Sequence, residues 1–189
     1  MKRSMKKGFT LAEVLITLVV IGIVVALTIP ALLQNTRQAE LKTALKKSIA
    51  VLNQAIVMSI AQDSIDASSC TNCSSNAQKL AEFFIGKLNV LSQNVTSPNA
   101  YFYTADGMRF DIIQSNGTCG TNSTTDPAPA NCVVLVDVNG DKLPNDYSTG
   151  NTTANVYTFR DRYRLIVTAN SVLPAQNATS DVTMKALQQ

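Results

Sequence analysis

The chain has 189 residues, 46% of them hydrophobic, with 16 Lys and Arg against 13 Asp and Glu and neither His nor Trp. That length accommodates one membrane segment and one modest globular domain. The absence of His excludes imidazole-based acid–base and nucleophile-activation chemistry, and removes the commonest neutral nitrogen ligand for metals.

The net charge of +3 is concentrated at the start. Lys2, Arg3, Lys6 and Lys7 precede the first apolar run, and removal of residues 1–8 leaves 12 positive against 13 negative side chains. The basic balance is therefore not a whole-domain footprint for nucleic acid. From Phe9 to Ile29 the chain is apolar for 21 residues, long enough to cross a bilayer. Inside that run sits one carboxylate, Glu13, at a cost of about 2.5–3.5 kcal/mol on insertion scales. A secretory signal has an apolar stretch of about 7–15 residues and a small-residue cleavage site after it. Here the run is longer, and Pro30 and a helical pattern follow it. Gly22 is a weak helix former and Pro30 lacks a backbone donor, so a kink or local melting is predicted between them.

After Pro30 the pattern becomes amphipathic. Leu41, Leu45, Ile49, Leu52, Ile56 and Ile60 recur at spacings of three and four, with polar residues largely elsewhere. One helix is predicted from about Phe9 to about Ala61, roughly 80 Å at 1.5 Å per residue. Its first part, 9–30, is expected to cross a membrane, and 31–62 to lay a stripe on a globular head at 63–189. In the head, 63–75 reads as a polar loop and 76–88 as a short helix with Leu80, Phe83, Phe84 and Leu88 on one face. Residues 100–104 and 108–113 flank Asp106-Gly107 as a hairpin. Strands are also expected at 132–138 and 155–169, with a short helix after Ser180. A long helix followed by an antiparallel sheet is the α+β class.

Cys70, Cys73, Cys119 and Cys132 all follow the apolar run, so the head is placed in an oxidising space. Of three possible connectivities, Cys70–Cys73 and Cys119–Cys132 each close a local loop. Zinc and redox readings of Cys70-x-x-Cys73 lack a second C-x-x-C half-site and a thioredoxin-like setting. In 137–148, Asp137, Asn139 and Asp141 set oxygens at alternate positions, as a calcium loop does, with Asn145 at the ninth place and Asp146 as a spare. Lys142 stands where such a loop has glycine, and Ser148 where it has a bidentate acid, so a metal-free turn is the competing reading. Six N-x-S/T sequons, at Asn72, Asn94, Asn116, Asn122, Asn151 and Asn177, read as solvated loops. Arg160, Arg162 and Arg164 alternate and would share one strand face, a weak phosphate-binding patch.

The segment Lys6, Lys7, Gly8, Phe9, Thr10, Leu11, Ala12, Glu13, with the apolar stretch bearing Gly22 and Pro30, resembles the class III signal of type IV pilins and pseudopilins. The resemblance covers about 25 residues. It implies cleavage after Gly8 by a prepilin peptidase, N-methylation of Phe9, and pairing of Glu13 with the new amino terminus of a neighbouring Phe9. It also implies loss of helicity between Gly22 and Pro30 on assembly. The expected protein is a structural, non-enzymatic subunit of a filament, a homopolymer or a mixed one. It would be held first as a single pass in the inner membrane with an assembly platform as partner, then at the cell surface or in the periplasm. A pseudopilin of a type II secretion system shares the signal. A membrane-anchored ligand-binding or enzyme domain is the reading of another class, and no nucleophile–base motif or phosphate loop supports it. Calcium is the cofactor the sequence leaves open.

Overall fold

The computed structural model describes residues 8–69, 77–96, 100–115, 119, 132–147, 149–151, 156–158, 160–175 and 183–188. Among them the order is α1 (Leu11–Asp63), α2 (Ala77–Ile85), β1 (Val90–Asn94), β2 (Tyr101–Thr104), β3 (Arg109–Ser115), β4 (Cys132–Asp137), β5 (Thr149–Asn151), β6 (Val156–Thr158), β7 (Arg162–Val167), β8 (Val172–Pro174) and α3 (Thr183–Gln188). The chain divides into two compact units, Met1–Ala39 and Glu40–Gln189, and the division falls inside α1.

In the first unit α1 is a bare apolar helix. Its large side chains, from Leu11 to Leu33, are all exposed. The threonines return their hydroxyls to the helix itself: Thr17 to the Val14 carbonyl at 2.9 Å, Thr28 to Val24 at 2.9 Å and Thr36 to Leu32 at 2.8 Å. Threonines satisfied in this way leave no hydroxyl needing water. In the single subunit every residue from Leu11 to Asp63 is helical, Pro30 included; the loss of helicity between Gly22 and Pro30 is an expectation for the assembled filament. Proline removes one backbone bond and adds a local clash, whereas ending the helix mid-run would strand several carbonyls and amides.

In the second unit, α1 from Glu40 onward buries Leu41, Leu45, Ser48, Leu52, Ala55, Ile56 and Ser59. The stripe drifts from the expected one. Serines occupy two of its places, and Ile60 lies 39% exposed in the last turns. Small side chains let the helix approach its neighbours closely, and each hydroxyl is spent on a carbonyl: Ser48 on Leu45 at 2.8 Å, Ser59 on Ile65 at 2.9 Å. Against this stripe lies a six-stranded antiparallel sheet in the order β1-β2-β3-β4-β7-β8; β5 and β6 form a separate pair.

Alternation along the strands builds the core. Phe102 and Phe110 are cross-strand partners on β2 and β3, stacked at 5.1 Å, with Phe84 of α2 at 6.5 Å from Phe102. Tyr101, Tyr103, Arg109 and Asp111 occupy the opposite sheet face, half-buried. β4 is buried at all six residues, which accounts for its unbroken Cys-Val-Val-Leu-Val run. The hairpin forms where Asp106-Gly107 predicts it, with Gly107 at φ +85 donating its N–H to the Thr104 carbonyl. Ile113 is left over between the Ile112–Val134 and Gln114–Val133 pairs, a bulge that exposes it. The stretch 155–169 splits into β6 and β7. β1, β5 and β8 have no counterpart in the sequence reading.

Two cross-ties fix distant parts of this unit. The Asn53 amide accepts the Val172 N–H at 2.8 Å and donates to the Val172 carbonyl at 3.1 Å, so a helix side chain serves β8 as one residue of a strand would. Cys119 and Cys132 are disulfide-bonded with Cα atoms 5.2 Å apart, as the spacing suggested. Cys70 and Cys73 lie outside the described residues.

Asn53→Ala removes both bonds and leaves two backbone groups without their partner. The expected loss is about 1–3 kcal/mol, read from denaturant unfolding of the full chain in detergent; an unchanged midpoint would contradict the tie. Cys119→Ala with Cys132→Ala, which reopens a loop of 13 residues, is expected to cost about 3 kcal/mol in the same assay.

Candidate functional site

The first candidate site is the start of α1. Gly8 and Phe9 precede the helix, and Phe9 is 89% exposed. Thr10 is the N-cap and Glu13 the third helical residue, and the two satisfy each other. The Thr10 N–H and hydroxyl both donate to Glu13 Oε2 at 2.8 Å, and the Glu13 N–H reaches back to the Thr10 hydroxyl at 3.3 Å. This reciprocal T-x-x-E arrangement satisfies free amides of the first turn, and the carboxylate faces the positive end of the helix dipole. The sequence reading singled out Glu13 but not Thr10, although Thr-Leu-Ala-Glu is the spacing of such a cap. Gly22 and Pro30 lie within the same helix, and an added Cβ at Gly22 would meet nothing within 4 Å. α1 is long and apolar enough to cross a membrane, with a mean hydropathy of 2.8 over its best window.

The second candidate is the loop after β4. Asp137, the last residue of that strand, is fully buried. Its carboxylate accepts Arg162 Nε at 2.9 Å and the Asn139 N–H at 3.4 Å. Burial pushes its carboxyl above the usual range, with Arg162 pulling the other way. The loop turns sharply at Gly140, where φ is +70 and an added Cβ would lie 2.4 Å from the Gly107 carbonyl oxygen. Only glycine fits both demands. Asn145 also has a left-handed φ of 52.

The loop is held by a residue that the sequence reading passed over. Asp161, 1% exposed, accepts the N–H groups of Asn145 at 2.8 Å and Asp146 at 2.7 Å, and the Asn139 side-chain amide at 3.1 Å. No spacing signal marks it, because it lies sixteen positions past Asn145 and meets the loop only through the pairing of β4 with β7.

The structure does not bring all the predicted ligands together. Asp141 turns to the open sheet face, where Tyr103 donates to both its oxygens at 2.8 Å and Arg109 Nη1 lies at 3.3 Å. The Tyr103 hydroxyl and Arg109 hold its carboxyl below the usual range. Asp141 therefore belongs to a surface network with Tyr103 and Arg109, while Asp137, Asn139 and Asn145 remain in the loop. Asp146 contributes its N–H to Asp161. Among the described residues no group of three acidic, thiol or imidazole side chains is placed to hold a metal.

The arginine face is likewise a network. Arg162 and Arg164 lie on β7 and Arg160 before it. Arg162 binds Asp137, Arg164 stands 5.6 Å over the Tyr147 ring, and Arg109 pairs with Asp111 at 2.8 Å. Cations committed to internal acids and aromatic rings make a poor phosphate-binding surface.

A family model described as the prokaryotic N-terminal methylation motif matches residues 3–29. No curated protein and no solved structure matches the chain. The matched residues include the Thr10–Glu13 cap and nearly all of the exposed apolar run. The chain thus carries a class III N-terminal methylation motif, typical of type IV pilins and pseudopilins, ahead of a pilin-like α+β fold in which a long helix packs on a six-stranded antiparallel sheet.

Proposed function

We propose that the protein is a structural subunit of a type IV pilus-like filament, built by polymerisation rather than by any catalysis of its own. The observation that carries this reading is the methylation motif with Glu13 in the first turn of a bare apolar helix. Proteins with such motifs are generally structural, and the signal generally implies processing by a prepilin peptidase and assembly.

The physical steps follow from the residues. The cluster Lys2, Arg3, Lys6 and Lys7 holds the amino terminus on the cytoplasmic side while α1 spans the bilayer. Cleavage between Gly8 and Phe9 removes those charges and leaves a new amine at Phe9, which is then methylated. The new cation lies one residue before the N-cap. Before assembly Glu13 has Thr10 as its partner. That arrangement satisfies hydrogen bonds but leaves a net charge among apolar side chains. A neighbouring subunit's Phe9 amine offers the opposite charge, and a compensated pair is far less unfavourable there than a lone carboxylate. Contacts of this head-to-tail kind do not close on themselves and generate a helical filament. The pseudopilin of a type II secretion system would use the same steps in a short periplasmic filament, so the two readings differ in where the filament ends.

Mass spectrometry of the N-terminal peptide, from sheared surface material and from the cell envelope, tests the reading. Methylated Phe9 in the sheared fraction is the expected result; the same terminus confined to the envelope would make the filament a secretion pseudopilus. An intact Met1–Gly8 leader in the mature protein would overturn both. Glu13→Leu is expected to leave cleavage and membrane insertion intact and to lower incorporation into filaments at least about tenfold, the counterpart of roughly 1.4 kcal/mol per subunit contact. Incorporation at the normal level would remove Glu13 from the mechanism.

A further inference from the structure

The strand register sets a row of side chains across the sheet face opposite the aromatic core. Asn94 pairs with Tyr101, Tyr101 with Asp111 and Asp111 with Leu135. Directly paired residues share a face, so the row crosses from β1 to β4, about 14 Å at 4.8 Å per strand spacing. In the next row Arg109 and Arg162 are both register partners of Asp137, which lies between them. The two rows line a cleft of about 530 Å³. That volume is in the range of a ligand site.

Charge does not select the ligand. Arg109 holds Asp111 at 2.8 Å and reaches Asp141 at 3.3 Å, and Arg162 holds Asp137 at 2.9 Å. Each guanidinium on the wall is already answered by a carboxylate, so an ion of either sign gains little there.

What the wall leaves open are hydrogen-bonding groups of both kinds. Arg162 uses Nε on Asp137, and its two Nη groups have no partner among the described residues. Asn94 spends its amide oxygen on the Thr96 N–H at 3.0 Å, which leaves the amide nitrogen to donate. Asp111 Oδ2 accepts one bond, from Arg109 Nε at 3.0 Å, and has capacity for another. Apolar surface lies among these groups. Leu135 forms part of the floor, and the bulge in β3 turns Ile113 outward, 43% exposed. The Tyr101 ring stands within the row, with Arg109 over it at 4.4 Å.

A ligand that fits must donate and accept without net charge, and must carry apolar faces between its polar groups. A sugar ring does both, with hydroxyls around its rim and C–H groups on its faces. The row is longer than one such ring. We propose that this cleft binds a neutral saccharide of two or more rings, lying across the strands from Asn94 toward Arg162. The Arg162 Nη groups donate at one end; Asn94 donates and Asp111 accepts at the other. The C–H faces rest on Tyr101, Leu135 and Ile113. The assignment uses the head alone and does not depend on the filament reading.

The test is saturation-transfer difference NMR on the full chain in a zwitterionic, sugar-free detergent, with the thermal midpoint of each variant as a check on folding. Maltose, cellobiose, lactose and diacetylchitobiose are the probes. At least one is expected to bind with a Kd of about 0.1–10 mM. The same disaccharide with one ring oxidised to the uronic acid is expected to bind at least about fivefold more weakly. Tyr101→Ala removes the ring, and Arg162→Lys keeps a cation beside Asp137 while withdrawing the Nη pair. Each is expected to weaken binding at least about fivefold, whereas Gln54→Ala, on the exposed side of α1, is expected to leave it unchanged. No binding of any probe up to about 50 mM would overturn the site. Equal or tighter binding of the uronic acid would overturn the neutral class of ligand. Unchanged binding in both Tyr101→Ala and Arg162→Lys would overturn the location.

Discussion

Glu13 is an ionisable group in the first turn of an exposed apolar helix, and on the membrane reading proposed above the first unit is arranged around that fact. A helix of bilayer length with one carboxylate in its first turn has few ways to settle the charge. The Thr10 cap settles the hydrogen bonds of the carboxylate and of the turn at once. It cannot settle the charge, because threonine brings none. On the proposed reading, the side chain is satisfied enough to exist in a membrane and unsatisfied enough to prefer a cation. The remainder of the segment cooperates by offering no competing partner: its threonines bond inward and its other side chains are apolar.

The second unit meets a different demand, that of presenting a stable head from a helix whose other part is committed elsewhere. The packed stripe of α1 mixes leucines with two serines, and the close approach they permit brings Asn53 within reach of the Val172 backbone. One of the sheet's two middle strands, β4, is buried on both faces and ends in Asp137, so the loop that follows starts from a fully packed strand. Asp161, delivered by the strand paired with β4, then fixes the loop from outside it. Two acids from different segments divide the work: one closes the strand, the other holds the turn.

Much of this was legible in the sequence. The motif at the start, the helix beyond it, the hairpin at Asp106-Gly107 and the apolar run of β4 each carry a local signal, a charge pattern or a period or a turn dipeptide. The unread parts have physical reasons. β1 and β8 are short end strands: one is mostly polar, and the other ends in proline and is completed by a helix side chain. β5 is a Thr-Gly-Asn segment without any apolar alternation. Alternate spacing placed Asp141 with Asp137, yet spacing along a chain says nothing of a tyrosine and an arginine waiting on the neighbouring strands. Asp161 was invisible for the same reason, since its partners lie across the sheet. Thr10 was legible and was overlooked beside a more conspicuous glutamate.

The amide of Asn53 has one more consequence. A filament of the proposed kind would set many identical sheets side by side, and an open strand at the end of a sheet is a template for adding another. At one end of the sheet, Val172 has both backbone groups taken by Asn53, so that margin is shut from within the subunit. At the other, β1 is broken by an irregular register between Val90 and Ser92 and carries Ser92, Gln93 and Asn94. One margin has Val172 bonded within the chain and a proline without an N–H, the other is irregular and mostly polar, so heads crowded together would not be invited to fuse into a continuous sheet.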